Sequence, residues 1–364
     1  MTQREQQLLA LLRDDPMISQ QQLAQNLGIS RSAVASHIMN LTRKGLILGK
    51  GYVLSEPTYA VVVGGANIDI CGRGMQQLDL GESNPGGVTI SAGGVARNVA
   101  ENLARLGQQV RLISAVGCDP HGDRLLQDTR ASGVDTSLVL QLPDQATSVY
   151  LSLLNPDGEL HTAVNDMAIV EQLSAELVYS HRSLLSHASL IIADCNLPQE
   201  TLEAITDSAP GVPLFVDTVS RCKASKIQPL LSKIHTLKPN RAEAEYLSGI
   251  AFNTPKDLKR IGDWFHQQGV QRLCLSLGEQ GCYLSSQGCE PLQLKAHSVE
   301  LCNANGAGDA LLGALAHAHL EGWEDERALR FGLAAAELTL SDPQTIHPRL
   351  SQTTIEQRLE AFAC

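Results

Sequence analysis

From Tyr59 onward the chain repeats one pattern: a short aliphatic run, a glycine-containing turn, then a longer segment with apolar residues at helical spacing. YAVVVGG (59–65) reads as a buried strand. VARNVAENLARLG (95–107) reads as a helix closed by Gly107, and VRLISAVG (110–117) as the next strand. SLIIADC, PLFVDTV, IHTLKPN and RLCLSLG continue the series. Aliphatic runs without polar alternation are strands buried on both faces, and strands separated by helices run parallel. The alternation therefore predicts an α/β fold with a mostly parallel central sheet flanked by helices. One stretch breaks the pattern. TSVYLSLL (147–154) and ELHTAV (159–164) alternate in polarity around Asn155-Pro156-Asp157-Gly158, which predicts an antiparallel hairpin standing off the main sheet.

The first 55 residues follow another rule. REQQLLALLR (4–13) reads as a short amphipathic helix with Leu8, Leu9, Leu11 and Leu12 inward. Ser19 opens a second helix with Gln22 in capping-box position, and Gly28 stops it. Ser30 caps a third helix that runs to Lys44 with Val34, Ile38 and Leu41 inward; Gly45 stops it. ILGKGYVL (47–54) reads as two short strands around Gly49-Lys50-Gly51, a small wing, and Pro57 marks the linker.

A chain of 364 residues with 43% hydrophobic content has room for one large α/β domain plus this small one. The net charge of −11 is unevenly spread, because residues 1–55 hold six basic residues against Glu5, Asp14 and Asp15. A basic head on an acidic body points only the head toward nucleic acid. Nine cysteines without a C-x-x-C pair read as reduced thiols. No charged-then-apolar leader and no run of 18 apolar residues occurs, so the expectation is a soluble cytoplasmic protein with no membrane partner.

Five segments carry chemistry. In NANGAGDALLGALAHAHL (303–320), Gly306, Ala307 and Gly308 lead into an apolar helix whose free N–H groups can converge on an anion. Asp309 in the same turn can take a proton from a hydroxyl while that nest holds developing charge, or it simply caps a glycine-rich turn. In SAGGVARNVAENLARLG, Gly93 and Gly94 precede a helix and allow close backbone approach to a polyhydroxylated ligand, with Asn98 one turn inside; a tight turn before a core helix is the other reading. GGANIDI (64–70) ends the first strand, where ligands bind in open parallel sheets. Asp69 offers two acceptors to vicinal hydroxyls and Asn67 a donor; an Asx-type turn after a strand is the other reading. In KPNRAEAEYL, Asn240 and Glu243 have capping spacing; beside a phosphate they could instead organise Mg²⁺ through water. Gly278 and Gly281 in LSLGEQGCYL could open a strand edge to a nucleotide. The chain holds no G-x-x-x-x-G-K-[ST] or G-x-G-x-x-G segment, which disfavours a P-loop ATPase and a dinucleotide-dependent dehydrogenase.

Taken in this order, the segments resemble the PfkB/ribokinase family of carbohydrate kinases over about residues 59–350; the wording GGANIDI, GGVARN, DTVSRCKASKI and HTLKPNRAEAEYLSG is nearest to pseudouridine kinases. The resemblance implies a ribokinase-like domain over 59–364 with a small β lid drawn from about 71–90 and 147–164. It implies Asp309 as catalytic base and Gly306, Ala307 and Gly308 as anion hole. Asn240 and Glu243 would tie to Mg²⁺ and phosphate, while Asp69, Gly93, Gly94 and Asn98 would contact the sugar, and Gly278 and Gly281 would lie in the nucleotide loop. It implies ATP and Mg²⁺ as cofactors. The family pattern D-T-x-G-A-G-D reads Asn303-Ala304-Asn305-Gly306-Ala307-Gly308-Asp309 here, which puts potassium dependence in doubt.

Residues 1–55 resemble winged helix-turn-helix modules, with Ser30, Arg31, Ser32, Ser36 and His37 on the first turns of the recognition helix and Arg43, Lys44 and Lys50 suited to phosphates; the same fold used for protein contacts, or kept as a vestige, is the other reading. The expected function is ATP-dependent phosphorylation of a hydroxymethyl group: of pseudouridine first, then another nucleoside, ribose or a hexose derivative. The alternative is a transcriptional regulator whose kinase-like domain senses a sugar or nucleoside. DNA binding through the head would favour a homodimer that reads two half-sites.

Overall fold

The computed structural model describes residues 2–47, 58–299, 301–303 and 305–362. The chain divides into two compact units, Met1–Thr58 and Tyr59–Cys364.

In the first unit the caps act as their spacing predicts. Helix α2 (Gln20–Leu27) opens with Ser19/Gln22 and α3 (Arg31–Arg43) with Ser30 accepting from the Ala33 N–H; α1 (Gln3–Asp14) opens with a Thr2/Glu5 capping box that the sequence reading did not single out. Gly28 ends α2 at φ 62, a conformation in which a side chain would be strained. Leu8, Leu12, Leu23, Val34 and Leu41 are fully buried and hold the three helices together. The wing, with Lys50, lies outside the described residues. Lys44, expected to meet phosphates, is instead ion-paired with the buried Glu5 at 2.9 Å. Glu5 has almost no access to water, so the nearest cation compensates it.

The second unit is built on an eight-stranded sheet. Its strands are β1 (Ala60–Val63), β4 (Val110–Ile113), β9 (Leu190–Asp194), β10 (Leu214–Asp217), β11 (Thr236–Lys238), β12 (Arg272–Ser276), β13 (Cys282–Ser286) and β14 (Leu292–Leu294). They lie in the order β14-β13-β12-β11-β10-β9-β1-β4. The pairs from β4 through β12 are parallel, and β13 and β14 add an antiparallel edge. Successive residues of β1 alternate between the two layers of core. Val61 and Val63 pack with Ile191, Val216 and Phe265; Ala60 and Val62 pack with Leu112, Phe215 and Leu312. Both faces are dry, which is why the run shows no polar alternation.

A second sheet of four strands stands apart: β2 (Asn67–Gly74), β3 (Gly86–Gly93), β7 (Val149–Leu154) and β8 (Leu160–Asp166), in the order β3-β2-β7-β8. The predicted hairpin is its β7–β8 pair. A short parallel pair, β5 (Ala115–Gly117) with β6 (Leu140–Leu142), completes the strands. The register places Ile70, Ile90, Leu151 and Val164 on one face and Asp69, Ser91, Tyr150 and Asn165 on the other. Four helices matter below: α4 (Val95–Arg105), α5 (Arg241–Ser248), α6 (Ala307–Leu320) and α7 (Asp325–Leu340).

Candidate active site

The C-terminal ends of the parallel strands gather the polar residues, as the topology of an open sheet requires. Asp194 closes β9, and one of its carboxylate oxygens accepts from the backbone N–H of Gly65 (2.9 Å) and of Ala96 (3.0 Å); the other accepts from Asn196 (2.8 Å). A single buried carboxylate therefore ties the GGANID turn to the first turn of α4. Burial pushes its pKa up and the Asp217 charge adds to that, against the pull of its N–H donors.

Asp69 leaves β2 on the face shared with Ser91, opposite the glycine pair. Asn67 donates its amide hydrogen to Asp69 at 2.6 Å, so its expected donor is spent on holding that carboxylate. Burial raises Asp69 to about 6, while Asn67 and the charge of Arg97 oppose the rise. Gly93 is required by close approach, since a Cβ there would collide with the Asp69 carboxylate. Gly94 forms the N-cap of α4 at φ 97. One turn on, Asn98 donates from Nδ2 to the carboxylate of Asp309 at 2.8 Å and accepts from Arg97 through Oδ1 at 3.0 Å. Both ends of this amide are occupied within the protein, an arrangement the sequence did not suggest.

Asp309 is the third residue of α6 and is nine-tenths buried. The helix opens at Gly306, which has φ 83 and makes no side-chain cap; a Cβ there would run into the carbonyl of Thr345. Among the described residues the first N–H groups of α6 have no side-chain acceptor, the condition for holding an anion. Lys238, at the end of β11, is salt-bridged to Asp217, at the end of β10, at 2.9 Å. Its Nζ also lies where a Cβ on Gly308 would come within 3.1 Å, so that glycine leaves room for the ammonium against the turn. Burial disfavours the ammonium, yet the Asp217 carboxylate and the Asp309 charge hold its pKa above the ordinary value. Burial, then repulsion from Asp217, raise Asp309 to about 8; the Asn98 hydrogen bond and Lys238 pull it back.

Asn240 and Glu243 form a complete capping box on α5. The Glu243 N–H donates to Asn240 Oδ1 (2.9 Å), the Asn240 N–H to Glu243 Oε2 (2.8 Å), and Asn240 Nδ2 to Oε1 (2.7 Å). Thr218 adds a hydroxyl donor to Oε2 at 2.5 Å. Asn240 also bridges to Ser276 at the end of β12, beside the Gly278–Gly281 turn. Gly281 packs so closely on the Leu294 carbonyl that no side chain fits, and Gly278 opens the turn at φ 60. Asn303 donates to the Pro343 carbonyl at 3.1 Å; Ala304 lies outside the described residues. Asp194, Asp217 and Lys238 were missed in the sequence. The available signal was a polar residue closing an aliphatic strand, repeated in LIIAD, LFVD and TLK.

In chemical terms, a buried carboxylate stands beside an uncapped helix N-terminus and an ammonium. It can accept a proton from a hydroxyl while the N–H groups and the ammonium stabilise negative charge.

Residues 57–352 match the description "pfkB family carbohydrate kinase", and residues 1–47 match "winged helix-turn-helix DNA-binding". The chain is 43% identical over 351 residues to the Escherichia coli K12 sugar kinase YeiI, covering 96% of this chain and 97% of that protein. It is 41% identical over 311 residues to the pseudouridine kinase of the same organism, covering 85% of this chain and 99% of that protein. Arabidopsis thaliana ribokinase, solved in complex with ribose and ATP, shares the fold with a TM-score of 0.75 at 24% identity, over 84% of this chain and 99% of that one.

Proposed function

The chain belongs to the pfkB family of carbohydrate kinases, and we propose that it transfers the γ-phosphoryl group of ATP to the hydroxymethyl group of a nucleoside, pseudouridine before other nucleosides, ribose or a hexose derivative. The observation that carries this reading is the placement of Asp309 on Asn98 at the uncapped start of α6, beside Lys238. The 41% identity to a pseudouridine kinase supports the choice of acceptor.

The residues present suit MgATP, because free helix N–H groups and an ammonium meet at one point. Gly306, Ala307, Gly308 and Lys238 would hold phosphate, and the Gly278–Gly281 turn would receive the nucleotide. Asn240 and Glu243 would orient Mg²⁺ through water; among the described residues no three His, Cys, Asp or Glu side chains form a metal cage, and Mg²⁺ commonly keeps much of its water. Bound Mg²⁺ neutralises phosphate charge. Asp69 accepts from vicinal hydroxyls; Gly93 and Gly94, expected to admit the ligand to the backbone, instead make room for the Asp69 carboxylate and for the Gly65–Asn67 backbone, and so set where that carboxylate stands. The four-stranded sheet serves as a lid over this site. Ionised Asp309 removes the proton of the attacking hydroxyl, and Asn98 fixes the carboxylate's rotamer.

The exposed apolar face of that sheet, with Val88, Ile90 and Val164, suits burial against a second copy, which makes a homodimer the proposed assembly. Eight described cysteines are free thiols, and no described helix is long and apolar enough to cross a membrane; both fit the cytoplasm. ADP release with pseudouridine, uridine, ribose and hexoses as separate acceptors tests the assignment; turnover with ribose or a hexose but no nucleoside would sink it.

The second reading adds a regulatory role. Ser30, Arg31, Ser32 and Ser36 are exposed on the start of α3, where a recognition helix meets base edges. A sensor that binds nucleoside without phosphorylating it would show saturable binding and no ADP release.

A further inference from the structure

The opposite end of the sheet holds a second cleft, built from residues that phosphoryl transfer leaves unused. It encloses about 440 Å³ lined by His235, Arg272, Ser286, Gln287, His319 and Asp325, among others. His235 precedes β11 and Arg272 opens β12, so the cleft lies at the N-terminal ends of strands whose other ends point to the Asp309 site. Helix α6 runs between the two places. Asp309 stands in its first turn and His319 in its last, about 15 Å along the axis.

Arg272 is the unusual member. It is 94% buried. Its Nε donates to the Thr236 hydroxyl at 3.1 Å, and Nη1 reaches Asp325 only at 3.4 Å; Nη2 is buried and has no partner among the described residues. A guanidinium donor left unsatisfied in the interior is expensive. The Phe215 ring, 5.2 Å from Cζ, offers cation–π attraction but not a lone pair. The carboxylate available nearby is already engaged, since the other oxygen of Asp325 accepts from Ser286 at 2.5 Å. His319 packs against Phe215 at 5.2 Å and His235 at 4.7 Å, and among the described residues its ring makes no hydrogen bond. Burial and the Arg272 charge keep His319 neutral. Burial, His319 and Arg272 lower His235 to about 4. Each neutral ring keeps one N–H. The exposed Gln287 adds an amide at the mouth. The cleft thus offers imidazole and amide N–H donors around a guanidinium with an open valence.

We propose that this cleft is a second ligand site, for a small oxyanion such as the phosphoryl or carboxylate group of a metabolite, held by the Arg272 guanidinium with His319 and Gln287. The Arg272–Asp325 pair alone would explain Nε and Nη1 as a tie between sheet and α7. It gives no use for Nη2 or for the His319 N–H, whereas His235 Nδ1 already lies 2.9 Å from the Thr236 hydroxyl.

The test uses the full chain saturated with Mg²⁺ and a non-hydrolysable ATP analogue, so that the α6 N-terminus is filled. Orthophosphate and acetate are titrated separately at constant ionic strength, and the imidazole Cε1–H resonances of His235 and His319 are followed by NMR. Both resonances should shift saturably in the millimolar range with at least one anion, and the arm that saturates identifies the group. These signals report locally, so they stay informative even if nucleotide binds elsewhere. Gln287→Glu puts a negative charge at the exposed mouth without touching the buried pair; it should weaken binding about tenfold or more and leave the melting temperature unchanged. Arg272→Gln should abolish binding; if it fails to fold, Gln287→Glu decides alone. Absence of a saturable shift with either anion, or equal affinity in Gln287→Glu, overturns the proposal.

Discussion

Asn98 donates its side-chain amide hydrogen to Asp309 across 2.8 Å, joining two segments 211 residues apart. The bond fixes which way the carboxylate faces and stabilises its ionised form against burial. It also makes α4 and α6, which pack together, the frame of the site.

Asp309→Asn is expected to keep acceptor binding and lose about 10²–10⁴-fold in kcat, the usual worth of general-base help. The amide oxygen can still accept from Asn98, so the local packing survives. Steady-state kinetics with the acceptor found above, together with a binding titration, check this. Near-normal turnover would reduce Asp309 to a helix cap.

The raised pKa of Asp309 gives two signed expectations. In the free enzyme the base is mostly protonated at neutral pH, so kcat/KM should climb with pH and level off above about 8. Stability should move the other way. Below about pH 4 Asp309 is protonated in both folded and unfolded chains. Between there and about 8 the unfolded chain gives up a proton that the folded chain keeps, so stability falls as pH rises through that window. Asp309→Asn removes this slope, and its melting temperature should gain on the wild type between about pH 5 and pH 9. A gap that stays constant with pH would show that Asp309 ionises normally in the fold.

Monovalent cations should have little effect on rate. Asn303 and Ala304 stand where the family pattern has Asp-Thr, and Asn303 already gives the Pro343 carbonyl a neutral N–H at 3.1 Å. Initial rates in potassium, sodium and a bulky organic cation measure this. Strong activation by potassium alone would mean that backbone carbonyls suffice for a site.

Deleting residues 1–55 should remove DNA affinity and leave kcat/KM nearly unchanged, because each proposed catalytic residue lies beyond residue 60. Binding by the intact chain should weaken steeply with salt as phosphate contacts from Arg31 and Arg43 release counterions. Lys44 should contribute less than its charge suggests, being paired with Glu5. Gel-shift titrations at several salt concentrations decide it. No salt-sensitive binding to any genomic fragment, or loss of kinase activity on truncation, would make the head a structural or dimerising element.

Local rules carried much of the chain. The aliphatic runs at 60–63, 190–194 and 214–217 could bury both faces only in a covered parallel sheet, and the caps at Ser19, Ser30 and Asn240 fixed where helices begin. The glycines of GAGD pointed to an uncapped helix start because a small, polar turn leads directly into an apolar run. Sequence also placed Asp309 in the opening turn of its helix, whereas Asp69, expected at the end of the first strand, is the third residue of β2.

What no local rule held was the pairing of distant groups. Asp194 looks like an ordinary strand ending until the fold sets the N–H groups of Gly65 and Ala96 on its oxygen. Lys238 reads as the polar end of a strand until β10 and β11 lie side by side and bring Asp217 to 2.9 Å. Asn98 reads as a ligand donor until α6 delivers Asp309 to it. Hydrogen bonds and charges act over a few ångströms of space, while helix and strand patterns act over a few residues of chain. The sequence therefore determined the elements and their ends, and only the packing of those elements decided which polar groups meet and how far each pKa moves.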